Sequence, residues 1–184
     1  MLCGIDEAGR GCIAGDLVVA GVLFKEGQSV AGLNDSKKIS EKKRYELFEP
    51  IKEATLYHIV TITAKQIDED GISKSMSRAL SEIMQNLNAD EYLFDGNTTF
   101  GIKNLQTMVK ADAKVLEVSA ASILAKVTHD RNILKDAKEF PEYHFEKHKG
   151  YGTKLHVEMI KQYGYSKVHR KSYKIKALEK TLFE

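Results

Sequence analysis

The chain has few of the residues that staple or interrupt a fold. Cys3 and Cys12 are the only cysteines in 184 residues, too few and wrongly spaced for a disulfide framework or a cysteine zinc site. A reducing compartment, the cytoplasm, is therefore the expectation. Only two prolines occur, Pro50 and Pro141, far apart, and no repeat, low-complexity tract or Pro/Ser-rich linker divides the sequence. One domain is predicted. No apolar run approaches the roughly 20 residues that a membrane helix needs. Nor does a basic segment with an apolar run precede the first motif, so neither a membrane span nor a signal peptide is expected.

Charge is nearly balanced overall, at +2, but not along the chain. Residues 1–125 hold 14 Lys+Arg and 18 Asp+Glu, and residues 126–184 hold 14 and 8, leaving −4 and +6. An acidic part beside a basic one suits a protein that holds cations with the first and neutralises phosphates with the second.

Apolar periodicity predicts strands over 2–6, 17–24, 56–63, 91–95 and about 105–109. Ser40 is placed to cap a helix from Glu41, with Tyr45, Phe48 and Ile51 on one side and Pro50 expected to kink or shorten it. Ile72, Met76, Ala79, Leu80, Ile83, Met84 and Leu87 recur at spacings of 3 and 4, which predicts a core-facing helix over 72–87. A long helix follows over about 117–136; Thr153 caps another that ends before Gly164, and 174–183 is amphipathic. The order β, β, α, β, α, β, β, α is that of a mixed α/β domain with a helical, basic C-terminal region from about 140.

The chemistry is concentrated where strands end. The first strand runs into Asp6, Glu7, Ala8, Gly9, Arg10 and Gly11, two acids followed by a glycine-flanked arginine. Carboxylates suit a hard metal ion, and a Gly-Arg-Gly loop lets backbone and guanidinium approach a phosphodiester. Asp95 repeats the pattern after Tyr92-Leu93-Phe94 and before Gly96, and Asp112 follows the strand near 105–109. A single Asp after a strand is usually a turn former; the repetition argues for more. Two such charges about 4 Å apart repel by roughly 4 kcal/mol at an effective dielectric near 20, a conflict that divalent cations remove. Oxygen-only ligation favours Mg²⁺ or Mn²⁺ over zinc, and two such ions suit phosphodiester hydrolysis. Neighbouring strand residues point to opposite faces, so the strand is expected to end or twist at Asp6 and Glu7.

The motifs resemble those of ribonuclease HII, the bacterial type 2 ribonuclease H, over nearly the whole chain. The resemblance rests on Gly4-Ile5-Asp6-Glu7-Ala8-Gly9-Arg10-Gly11, Leu33-Asn34-Asp35-Ser36-Lys37-Lys38, Asp95-Gly96, Lys110-Ala111-Asp112, the run from Ser119 to Val127, and Lys149-Gly150-Tyr151-Gly152-Thr153. It implies a ribonuclease H-like fold, with Asp6, Glu7, Asp95 and Asp112 as catalytic, metal-binding acids for Mn²⁺ or Mg²⁺, two ions with substrate bound. It implies endonucleolytic cutting of RNA in RNA/DNA hybrids and on the 5′ side of single ribonucleotides in duplex DNA, leaving 3′-hydroxyl and 5′-phosphate ends. Gly9, Arg10 and Gly11 match the loop that reads the 2′-hydroxyl, the group that marks RNA. Tyr151 matches a residue packing on the sugar after the ribonucleotide. Lys37 and Lys38 match phosphate contacts, while Ser119, Ser122 and Lys126 support the site. Asp16, where proline is common in the family, and His129, where arginine is common, depart from the pattern. No obligate protein partner is implied, and a monomer is expected.

Other readings fit less well. Gly9-x-Gly11-x-x-Ala14 satisfies a relaxed dinucleotide fingerprint, but that motif opens a helix, and here a strand follows. His144 and His148 are four apart, but Glu146 is misplaced for a His-Glu-x-x-His zinc motif, and a solvated helix or loop is expected there. A nonenzymatic nucleic-acid binder explains the basic tail but not the acids. A two-metal nuclease acting on DNA alone is the alternative within the enzymes.

Overall fold

Strand β1 (Leu2–Ala8) is buried almost throughout because it is paired on both sides. It lies antiparallel to β2 (Leu17–Phe24) and parallel to β4 (Glu91–Asp95). The sheet is completed by β3 (Thr55–Ile62) beyond β2 and β5 (Leu105–Met108) beyond β4, in the order β3-β2-β1-β4-β5. In this computed structural model residues 1–33 and 39–179 are described.

Both faces of the sheet are covered, which explains why β2 reads as an unbroken apolar run rather than an alternating one. One face meets α3 (Ile72–Asn86), whose Met76, Ala79, Leu80 and Ile83 are fully buried against Cys3, Ile5, Leu17 and Val19. Burying each large side chain of that stripe contributes about 1.5–3 kcal/mol. The other face meets α1 (Glu41–Ala54) and α4 (Leu116–Glu139). Small residues Ala120, Ala121 and Ala125 let α4 lie close to the sheet. At Gly4 the approach is closest: a Cβ there would stand 2.3 Å from backbone atoms of Glu117 and Val118.

Two helices differ from expectation. Helix α1, capped by Ser40 accepting from the Lys43 N–H at 3.3 Å, continues through Pro50 to Ala54 without being shortened. Pro50 lies on its exposed face, where water can take the backbone bond that the ring gives up. An unpredicted helix, α2 (Ala64–Asp70), follows β3; its signal was the capping box in which Thr63 and Gln66 bond each other's backbone N–H.

The C-terminal region adds α5 (Phe145–His148), α6 (Lys154–Tyr163) and α7 (Lys176–Glu179). Thr153 caps α6 as expected, and Gly164 follows its end. The expected continuation of the last helix over 180–183 lies outside the described residues. Tyr143, Phe145 and Ile160 pack with Ile13, Ala14 and Ile133, so this region sits directly on the loop that leaves β1. No helix among the described residues is long and apolar enough to cross a membrane.

Candidate active site

An end or a twist of β1 is expected at the acidic pair; the strand does not end there but runs on to Ala8. The two carboxyl groups stay close enough to interact. Asp6 points to the α4 side, where it bonds Ser122, and Glu7 meets the Arg10 guanidinium at 3.2 Å. The two still share a site because a depression of about 400 Å³ reaches both, together with Arg10, Asp95 and Lys110. Asp95 closes β4, whose Phe94 pairs with Ile5 of β1, so register brings it beside Asp6. Its carboxylate accepts from the backbone N–H of Lys110 at 2.9 Å and of Asp112 at 3.3 Å. Asp112 lies in a single 3₁₀ turn, Ala111–Ala113, and lines the neighbouring cavity with Leu33 and Ser119. Three of the predicted acids thus border one depression, and the fourth is joined to them through Asp95.

The electrostatics of this end of the sheet are strained. Burial drives the Asp6 carboxyl well above the usual carboxylate range, and the charges of Glu7 and Asp95 push it the same way. Glu7 is raised by burial despite the opposing pull of Arg10, and Asp95 is raised by burial as well. Among the described residues, Glu7 Oε2 is buried without a hydrogen-bond partner. Crowded oxygen donors with one lone pair unsatisfied fit a hard divalent cation, which would favour the charged form of every member. Among the described residues no three His, Cys, Asp or Glu side chains are already grouped to hold an ion. Glu7 is drawn to Arg10 and Asp95 to two backbone amides, so holding one requires these carboxylates to turn.

The Gly9-Arg10-Gly11 loop is fixed from beneath. Gly9 has φ +85°, and a Cβ there would stand 2.5 Å from the His129 ring, so only glycine lets the loop lie on that imidazole. The Arg10 carbonyl accepts from Arg170 Nη1 at 3.2 Å and from the Tyr173 hydroxyl at 2.9 Å. Arg170 is fully buried, and its Nε donates to the Gly15 carbonyl at 3.0 Å. Further along, the Ile13 N–H donates to the Gly150 carbonyl at 2.9 Å, which ties this loop to the segment carrying Tyr151.

Tyr151 is exposed, and it rests on the same support. Its hydroxyl lies against the Cys12 thiol, and the Lys126 ammonium stands 5.7 Å from its ring centre. Cys12 Sγ is 3.7 Å from His129 Nε2; His129 Nδ1 is 3.1 Å from Asp130 Oδ1, which also accepts from Lys126 at 2.9 Å. Burial raises Asp130, but His129 and Lys126 outweigh it and hold the carboxyl below its ordinary value. Burial pushes Cys12 up to about 11 and Tyr151 up to about 12, so the thiol stays protonated and packs rather than attacks.

Among the other residues singled out, Ser119 Oγ donates to the Leu33 carbonyl at 2.8 Å, which joins α4 to the β2–α1 connection. Lys37 and Lys38 lie outside the described residues. His144 is solvated beside Glu146 as expected, but His148 is buried and stacks on His156 with ring centres 4.2 Å apart. That correction follows from three-dimensional packing: α5 turns its face into the cluster around Phe145. Sequence reasoning missed Arg170, Tyr173, His156 and His169, which read there only as part of a basic tail.

The fold and its solved neighbours define the class: a ribonuclease H-like nuclease. The structure of the PCNA:RNase HII complex from Archaeoglobus fulgidus superposes with TM-score 0.80 at 28% identity, covering 95% of this chain and 96% of that one. The ribonuclease H2 of Pyrococcus horikoshii gives 0.75 at 29% identity, covering 98% and 97%. Residues 3–176 match the family model described as Ribonuclease HII. The Ribonuclease HII of Sulfurovum sp. is 56% identical over 183 residues, 99% of this chain and 96% of its own length. The chain belongs to the ribonuclease HII family, and it is therefore an endonuclease acting on the RNA of RNA/DNA hybrids.

Proposed function

We propose that the chain also cuts on the 5′ side of a single ribonucleotide embedded in duplex DNA, leaving 3′-hydroxyl and 5′-phosphate ends. In this reading one catalytic domain spans residues 1–184, with a substrate-binding region from about 140, and acts as a cytoplasmic monomer in ribonucleotide repair. The observation that carries it is the juxtaposition of the carboxylate depression with a Gly-Arg-Gly loop and an exposed tyrosine on one shared support.

Asp6, Glu7, Asp95 and Asp112 would hold two Mg²⁺ or Mn²⁺ ions. When bound, these supply charge stabilisation at the phosphate and lower the pKa of the attacking water. The protein's own part is positioning. Gly9 and Gly11 would offer backbone groups to the 2′-hydroxyl, while Arg10 would neutralise a phosphate oxygen. Among the described residues nothing stands within 4 Å of a Cβ built on Gly11, which leaves room for that approach. Tyr151 offers its ring to the next sugar, where an added 2′-hydroxyl would crowd it. Lys37 and Lys38 would contact the backbone of the strand.

The test is cutting of labelled duplex DNA carrying one ribonucleotide, against an all-DNA duplex and a hybrid with a continuous RNA strand. Incision 5′ of the ribonucleotide with the DNA control intact is expected. Cutting of the continuous hybrid alone would overturn the single-ribonucleotide reading, and equal cutting of the DNA control would overturn RNA selectivity.

A further inference from the structure

Away from the carboxylates, the C-terminal half of α4 emerges from the core and crosses α1, leaving a groove of about 600 Å³ that ends on the edge strand β3. Its floor holds Tyr45, Phe48 and Tyr57, and its walls hold Lys52, Arg131, Lys135 and Lys138. Among the described residues no carboxylate lines it; Lys52 is ion-paired with Glu49 at 2.9 Å, so Arg131, Lys135 and Lys138 are the cations it offers a phosphate. Arg131 lies 4.2 Å from the Phe48 ring centre, and Lys52 stands 5.3 Å from that ring and 5.8 Å from Tyr57. Tyr57 keeps 38% of its surface exposed. The helical cations fall at 131, 135 and 138, a stripe of about 10 Å along α4.

Alternating cations and aromatic rings in a concave groove match the two needs of an unpaired nucleic-acid strand, neutralised phosphates and a surface for base stacking. A duplex hides its base faces, so it would use the cations and leave Tyr57 idle. The position is also suitable. Asn132, on the groove wall, donates to the Asp16 carboxylate at 3.1 Å, and the Asp16 carbonyl faces Gly9 of the Gly-Arg-Gly loop. We propose that this groove binds a single-stranded nucleic-acid segment running off the duplex engaged at the carboxylates. Its role in substrate choice rests on the activity proposed above; its capacity to bind a strand does not.

Fluorescence anisotropy with labelled (dT)12 in EDTA tests the site directly, because without metal the carboxylate depression repels an oligonucleotide. Lys135→Ala/Lys138→Ala removes two exposed cations. It should lower the slope of log affinity against log salt by about 1.4, since each phosphate contact on a single strand contributes about 0.7. Tyr57→Ala should weaken binding about fivefold or more with the salt slope unchanged, the signature of lost stacking. Both variants should cut a blunt, ribonucleotide-containing duplex within about twofold of the parent rate, and a dT overhang should tighten binding of the parent only. Unchanged (dT)12 binding in both variants would overturn the proposal. So would an equal loss on blunt duplex, which would place the groove on the duplex path. Capture of poly-glutamate in preference to (dT)12, lost in the same variants, would assign the groove to an acidic protein instead.

Discussion

Two clusters of titratable side chains, the carboxylates and the C-terminal histidines, are built in opposite ways. At the carboxylates, charges crowd, burial raises Asp6, Glu7 and Asp95 above their ordinary values, and Glu7 Oε2 has no partner among the described residues. In the C-terminal region His156 and His169 are also buried, but their hydrogen bonds close into a chain, with His148 stacked on His156 outside it. The Ser166 N–H donates to His169 Nδ1 at 2.9 Å, His169 Nε2 donates to His156 Nε2 at 3.0 Å, and His156 Nδ1 donates to the Tyr151 carbonyl at 2.9 Å. Those tautomers follow from the fixed partners at the two ends: an N–H at one and a carbonyl at the other. A ligand-like composition therefore says little by itself. The acids crowd charge around an unpaired oxygen; the two linked imidazoles are complete as neutral groups, and His156 holds the backbone of Tyr151.

The largest expected effect tests the incomplete side. Asp95→Asn should lower cutting on the order of 10⁴-fold, about 5.5 kcal/mol of transition-state stabilisation. In metal-free buffer the same change should leave the melting temperature equal or higher, because it removes one charge from a repelling group. A variant that loses stability and activity together would make Asp95 a structural residue and dissolve the contrast with the histidines.

The acids and the loop were legible in the sequence because they are local: a strand end, a carboxylate and a glycine are neighbours in the chain. Helix α3 was legible for a similar reason, its buried face recurring at helical spacing. What escaped was held across long separations. Arg170 supports Arg10 from 160 residues away, and His129 reaches Cys12 across 117. No periodicity marks such contacts. That Asp6 and Glu7 reach one depression was legible; that β1 would run on past both acids was not. His148 was misjudged because histidine at i, i+4 on a short helix looks the same in water as against Phe145.

The next effect belongs to the complete side. Burial lowers His156 and His169 to about 4, from the ordinary 6.5. Their folded-state values lie below the unfolded ones, so their stabilising contribution is full above about pH 6.5 and is lost as pH falls toward 4. Each can cost up to ~3 kcal/mol over that window. Urea melts at pH 7, 5.5 and 4.5 should show that fall, and His169→Phe should reduce the pH dependence. A flat profile would mean that the chain accepts a proton without breaking.

Adding cations separates the clusters in one experiment. Mn²⁺ at about 100 times its dissociation constant should stabilise the fold by about 2.7 kcal/mol. Asp6→Asn/Asp95→Asn should abolish the rise in melting temperature, and His156→Phe should leave it in place. A rise that survives the double acid change but not the histidine change would exchange the roles of the two sites.

Ser122→Ala should give the smallest effect and probes how the carboxylates are tuned. The Ser122 hydroxyl bonds Asp6 and favours its charged form against burial and the charge of Glu7. Losing a hydrogen bond to a charged group costs about 1.5 kcal/mol, so the rate at neutral pH should drop roughly tenfold. The sign of the pH effect is fixed: without the hydroxyl Asp6 holds its proton to higher pH, and the acid limb of the rate profile moves upward. At alkaline pH the variant should recover much of the parent rate. A uniform loss at every pH would mean that Ser122 serves packing under β1 rather than the ionisation of Asp6.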